Sequence, residues 1–217
     1  MNTAKIEVQY IDHMGSDKSV VNAARVSFSK DSADQTLDYK DEKLIKYLAK
    51  HDHWSPFAHN SIQLKVTAPI FIARQLVKHQ VGGVWNEVSR RYISTDPDFF
   101  VPTEWRAKPV NAKQGSTGLI ENGSEAFDLL EKHHEACLQL YQTLLDMNIC
   151  PEQARMVLPL SSMTQWYWTG SVMFWARVCK QRLDSHAQEE ARDIAILISD
   201  ICKNLFPLSW NALMSNV

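Results

Sequence analysis

This chain of 217 residues has no C-x-x-C pair, and its four cysteines (Cys137, Cys150, Cys179 and Cys202) are scattered. A structural zinc site is therefore not expected, and a reduced, cytoplasmic protein is the simplest reading. No apolar run is long enough to span a bilayer, and Met1 to Tyr10 lacks the basic-then-apolar order of a secretory leader, so no membrane association is expected. Charge of one sign is also missing. The formal net charge is −2, without the basic face that draws proteins onto nucleic acid. Any anion must be held locally. G-x-G-x-x-G, a Walker phosphate loop and a G-x-S-x-G elbow are all absent, which removes three common signatures of nucleotide binding and hydrolysis.

What is present is an ordinary globular composition, 45 % apolar and 22 % charged, enough to build a real core in one domain spanning 1–217. Residues 4–11 and 61–67 alternate apolar and polar side chains and predict strands. Residues 18–28 predict a short helix, and a stripe through Leu44, Ile45, Leu48 and Ala49 predicts a second, starting near Asp41. Pro69 suits the first helical position, and that helix is expected to run to His79 and stop at Gly82-Gly83. Residues 92–102 look extended, and residues 107–122 read as a surface loop. Residues 124–147 predict a long amphipathic helix, Pro151 opens a short one, and 163–169 is extended. Helices are expected at 171–181 and 184–205. The class is α+β, helices packed on a small, mostly antiparallel sheet.

The stretch from Arg74 to Tyr92 packs cations, amides, a carboxylate and a hydroxyl around the Gly-Gly break. It suits an anionic, hydrogen-bonding ligand such as a nucleotide, or else it is a solvated loop. On a helix reaching His79, Gln75, Lys78 and His79 share one face. Asn86, Glu87, Ser89 and Arg91 can close a pocket beside them. In Arg182-Leu-Asp184-Ser185-His186-Ala-Gln188, a continuous helix would set Arg182 and His186 one turn apart. Asp184 or Ser185 as an N-cap would instead offer an amide end to an anion. His51, His53 and His59 have no carboxylate or cysteine at useful spacing for a metal. Arg155, in an apolar run, needs an anion, a salt bridge or solvent. Cys150, ahead of a helix start, is a weak candidate nucleophile with no histidine beside it.

In this order, Ala23-Ala-Arg-Val-Ser27-Phe28, Lys50-His51-x-His53-x-Ser55-Pro-Phe57-x-His59 and Ala68-Pro-Ile-Phe-Ile-Ala-Arg74-Gln75 are followed by Asn86-Glu87-x-Ser89-x-Arg91-Tyr92. Ala154-Arg155-x-Val-Leu-Pro-Leu160 and Arg182-x-Asp184-Ser-His186-Ala-Gln188 complete the series. Together they resemble the flavin-dependent thymidylate synthases over nearly the whole length. The resemblance implies a homotetrameric enzyme with active sites at subunit interfaces, acting on dUMP with FAD, methylenetetrahydrofolate and NADPH, and without an enzyme cysteine bonded to the ring. It implies that Arg91 and Arg155 clamp the dUMP phosphate with Ser89 beside them. Arg182 then lies at the uracil carbonyl as the main catalytic group, Ser89 joins it in the catalytic set, and Gln75 and Glu87 contact the pyrimidine or sugar. It assigns Ser27, His53, Ser55, Lys78, His79, Gln80, Asn86, Glu87, Arg177 and His186 to FAD.

The chain also departs from the pattern. The family signature Arg-His-Arg, seven residues, then Ser is here Lys78-His79-Gln80, eight residues, then Ser89. Lys78 keeps a charge but loses the guanidinium fork, and Gln80 loses the charge. Where the family often has Asn-x-Arg and a further Asn, this chain has Ser171, Met173 and Arg177; Arg177 is expected to replace lost charge. The departures leave room for a relative that releases a hydroxymethyl product, or for a non-catalytic dUMP-binding protein.

Overall fold

The computed structural model describes residues 3–34, 36–110, 115–121 and 123–215. Alternation gives strands β1 (Glu7–Met14) and β2 (Ser61–Pro69), and in β2 the apolar members of the pattern, Ile62, Leu64, Val66 and Ala68, are fully covered. With β3 (Gly83–Glu87), a two-stranded ribbon of β4 (Arg106–Ala107) and β5 (Thr117–Leu119), and β6 (Met163–Gly170), the strands form two sheets. The larger has the order β1-β2-β6-β3. The ribbon, antiparallel, occupies part of the stretch expected to be all loop; residues 111–114 and 122 of that stretch lie outside the described ones. The helices are α1 (Asp17–Arg25), α2 (Tyr39–Lys50), α3 (Ile70–Leu76), α4 (Ser124–Asp146), α5 (Pro151–Ala154), α6 (Val172–Arg182), α7 (Glu189–Leu205) and α8 (Pro207–Met214). The fold is α+β, as the patterning predicts.

By the density of internal contacts the chain divides into two units. One comprises Met1–Glu7, Val66–Lys78 and Asn86–Trp166, the other Val8–Lys65, His79–Trp85 and Tyr167–Val217. In the first, the long helix α4 is anchored through His134 and Tyr141, both fully buried. The His134 ring stacks on Phe99 at 4.4 Å and its Nε2 shares a 2.7 Å hydrogen bond with Ser161 Oγ. Burial, helped by His133, holds His134 below the ordinary histidine pKa, so it packs as a neutral core residue.

The second unit holds an aromatic cluster. Trp168 meets Trp175 at 4.9 Å and Phe174 at 5.5 Å, both edge-on. A Cβ at Gly170 would come within 2.1 Å of the Phe174 ring and one at Gly83 within 2.5 Å, so only glycine lets β6 and β3 approach it. Gly82 has φ 84°, which side-chain-bearing residues rarely adopt. The Gly-Gly pair thus serves a turn and a close contact.

Charge is buried in this unit with its partners. Asp41 takes Lys18 at 3.1 Å and Arg25 at 2.5 Å. Burial pushes the Asp41 carboxyl up, but the Asp38 backbone, Lys18 and Arg25 outweigh it and hold it below the usual carboxylate value. Buried Asp17 accepts the Leu208 and Ser209 N–H groups, both at 2.8 Å, and so caps α8 from the start of α1.

Candidate functional site

One expected helix ends early and another starts late, and this changes the site. α3 stops at Leu76, with the Val77 N–H closing its last turn on Ala73. Val77 and Lys78 form a turn and His79 lies beyond it, so Gln75, Lys78 and His79 do not share a helix face. α6 ends at Arg182 and α7 begins only at Glu189. Neither the continuous helix nor the N-cap at Asp184 or Ser185 is formed. Asp184 Oδ1 instead accepts the His186 N–H at 2.7 Å and meets its ring Nδ1 at 3.0 Å, folding an Asx-type turn.

The second unit brings together residues 103 apart in sequence: Arg182 Nε donates to His79 Nε2 at 3.0 Å. His79 must therefore be neutral, with its proton on Nδ1. Its pKa is lowered by burial first and by the Arg182 charge second, and burial also lowers that of Arg182. The His79 ring stands 6.4 Å from Trp168, which also packs edge-on against Trp85 at 5.2 Å. A guanidinium is thus held by an imidazole in a half-buried setting, where a charge acts more strongly than in water.

The same unit contains a cavity of about 400 Å³ lined by Lys50, Trp54, Met173, Arg177 and Lys180, with Asp52 as the one carboxylate. His53 and Ser55, both exposed, flank Trp54 in sequence; the Tyr47 ring packs on His51 at 4.4 Å and on His53 at 5.9 Å. Ser27, Gln80 and His186 are exposed. Ser171, one of the departures, caps α6 by accepting the Phe174 N–H at 3.2 Å. Ser and Asn are interchangeable in that role, so this departure preserves the helix start.

In the first unit, Ser89 and Arg91 meet in a turn: Ser89 Oγ accepts from Arg91 Nε at 3.2 Å and from its backbone N–H at 3.4 Å. The Arg91 guanidinium lies 5.0 Å from the Tyr92 ring centre. Glu87 Oε1 accepts from Thr164 Oγ1 at 2.8 Å. Gln75 is half-buried, and Lys78 and Asn86 are exposed. Arg155 is exposed, with its Nε on the Glu152 carbonyl at 3.2 Å. Among the described residues no group of three His, Cys, Asp or Glu could hold a metal ion. Cys150 is exposed, 3.9 Å from Gln153 Oε1, with no histidine contact.

The sequence reading gave no role to Lys50, Asp52, Trp54 or Lys180. The signal available for Lys180 was its spacing, three residues after Arg177, which puts both on one helix face.

Half-buried guanidinium, neutral imidazole and aromatic rings in one unit, and an Arg-Ser turn in the other, are the parts of a protein that handles anionic, ring-bearing ligands. Residues 9–208 match the family described as thymidylate synthase complementing protein. The chain is 37 % identical over 209 residues to the flavin-dependent thymidylate synthase of Thermosipho africanus, covering 95 % of this chain and 90 % of that one. It is 38 % identical over 205 residues to the enzyme of the same name from Thermus thermophilus, covering 94 % and 74 %. The crystal structure of the UMP/dUMP methylase PolB from Streptomyces cacaoi, bound with 5-Br dUMP, superposes with a TM-score of 0.88 at 31 % identity, over 98 % of this chain and 96 % of that one. The chain belongs to the thymidylate synthase complementing protein family, the flavin-dependent thymidylate synthases.

Proposed function

We propose that the protein is a flavin-dependent thymidylate synthase, a methyltransferase that converts dUMP to dTMP, with the whole chain acting as one catalytic domain. The observation that carries the proposal is the Arg182–His79 hydrogen bond. It joins the signature histidine to the arginine assigned to the uracil ring, in a chain of this family.

In this reading Arg91 and Arg155 take the dUMP phosphate, with Ser89 already hydrogen-bonded to Arg91, so part of the clamp is ordered before substrate arrives. Gln75 and Glu87 contact the pyrimidine or sugar. Arg182 stabilises the negative charge that grows on the ring as C5 turns nucleophilic toward the folate carbon. Neutral His79 fixes the guanidinium plane and adds no competing cation. Methylenetetrahydrofolate is the carbon donor.

The residues present fit FAD. The cavity beside α6 offers Arg177, Lys50 and Lys180 to phosphates and the Trp54 ring to a flat heterocycle. Ser27, His53, Ser55, Lys78, His79, Gln80, Asn86, Glu87, Arg177 and His186 are proposed to hold the cofactor. When bound and reduced by NADPH, FAD supplies the hydride that completes the methyl group. Assembly as a homotetramer and a cytoplasmic location belong to the same proposal; among the described residues no helix is long and apolar enough to cross a membrane.

The test is the mass of the product formed from dUMP, methylenetetrahydrofolate and NADPH. A 5-methyl product supports the proposal. A 5-hydroxymethyl product, or binding without turnover, contradicts it. The solved methylase is named for UMP as well as dUMP, so UMP belongs in the same assay as a second acceptor.

A further inference from the structure

Thr164 has no part in the reaction as derived, yet it holds a residue that does. β6 and β3 are neighbours in the larger sheet, and just past the end of β3 the Val88 N–H donates to the Gln165 carbonyl at 2.9 Å. That pairing sets Glu87 beside Thr164, whose hydroxyl donates to Glu87 Oε1 at 2.8 Å. The next residue of β6, Gln165, lies on the opposite face of the strand, where its Nε2 donates to Thr67 Oγ1 at 2.9 Å. Side chains on both faces therefore tie the strand that carries Thr164. All of these residues belong to the first unit.

Glu87 gains from such a support. It is exposed, at the last position of β3, on a long side chain that loses rotamer freedom when it binds a ligand. A hydrogen bond made before the ligand arrives lowers that cost. It also leaves the group able to bind: a carboxylate has about four acceptor sites, and Thr164 takes one of them. A carboxylate accepts and does not donate, so what it recognises on a nucleotide is an O–H or an N–H. Away from its phosphate, dUMP offers the sugar 3′-hydroxyl and the ring N3–H.

We propose that Thr164 is a positioning residue for nucleotide recognition: its hydroxyl holds the Glu87 carboxylate ready to accept a hydrogen bond from the sugar hydroxyl or the ring N–H of dUMP. This rests on the dUMP reading above, and the test separates the two donors.

Thr164→Val exchanges the hydroxyl for a methyl and keeps the branched shape that suits a strand. Thr164→Ala removes the same hydroxyl and serves as a second variant, and Thr164→Ser keeps it. On the full-length holoenzyme, dUMP affinity is measured by calorimetry and flavin release on dilution by fluorescence. Both are repeated in a Glu87→Ala background. Thr164→Val should weaken dUMP binding about threefold to tenfold, the effect of one net hydrogen bond, and Thr164→Ser should recover most of that. Flavin release should stay as in wild type, and in the Glu87→Ala background Thr164→Val should add nothing. The 3′-deoxy and N3-methyl analogues of dUMP then identify the donor. If the Thr164→Val effect vanishes with the first, Glu87 takes the sugar hydroxyl; if it vanishes with the second, Glu87 takes the ring N–H. An effect that persists in full with both analogues, or in the Glu87→Ala background, overturns the proposal. So does a Thr164→Val protein that binds dUMP as wild type does, or one that loses flavin while keeping dUMP, and so does Thr164→Ser impaired as much as Thr164→Val. A wild-type protein that does not bind dUMP overturns the functional reading itself, and this proposal with it.

Discussion

Replacing His79 by phenylalanine tests the site's best-defined contact. The ring shape is kept, but Nε2, which accepts the Arg182 Nε–H at 3.0 Å, is lost. The guanidinium is half-buried, so the freed N–H is not simply handed to bulk water. A hydrogen bond to a charged group contributes about 1.5–3 kcal/mol. If that contribution is spent on orienting Arg182 toward the developing charge, turnover falls by a factor between about ten and about a hundred. His79→Gln keeps an acceptor near the same place and should recover much of the loss. The assay is single-turnover dTMP formation at saturating dUMP, with flavin content measured on the same preparation. Flavin-loaded His79→Phe turning over within about twofold of wild type, far below the loss worked from the lost bond, would refute the positioning role. The pH dependence gives a second arm. His79 has its pKa lowered in the fold, so its neutral form is favoured there. The interaction is complete above the ordinary histidine value and is lost as pH falls through the lowered one, when two cations would face each other. His79→Gln should remove that acid limb.

Asp41→Asn leaves Lys18 and Arg25 without their shared carboxylate and should cost about 3–5 kcal/mol in urea unfolding. Because the Asp41 carboxyl is held below its usual value, this contribution is present above the unfolded carboxylate pKa and fades as pH falls through the folded one, which acid titration of wild type against Asp41→Asn will show. Gly170→Ala places a methyl within 2.1 Å of the Phe174 ring and should destabilise by about 1–3 kcal/mol; Phe174→Leu in the same chain should return part of the loss in a double-mutant cycle. Arg155→Ala should weaken dUMP binding in calorimetry by about tenfold or more while leaving flavin content unchanged, as expected for loss of a cation from a phosphate.

Much of the fold was legible because it follows from local pattern. The alternation of β2 and the stripe of α4 need nothing beyond the spacing of apolar residues. What the sequence hid was decided by partners far away. Helix α8, Pro207–Met214, is apolar nearly all round and so shows little periodicity, and its cap is Asp17, from the other end of the chain. The early stop of α3 and the late start of α7 are marked by no glycine or proline, and His79 meets Arg182 across 103 residues. His134 reads as one polar residue in a helix until Phe99 and Ser161 are placed around it. For the site, order and spacing sufficed for the family resemblance. They did not reveal that Lys50 and Lys180 share a cavity with Arg177, because that depends on how α2 and α6 lie within their unit.

The most direct test of the central claim, that this chain uses bound flavin to methylate dUMP, is the flavin absorbance spectrum of the purified protein in the absence of oxygen. NADPH should bleach the flavin, and the yellow form should return, with dTMP, only when dUMP and methylenetetrahydrofolate are both present. A protein that carries no flavin, or whose bleached flavin is unchanged by the two substrates together, would contradict the account.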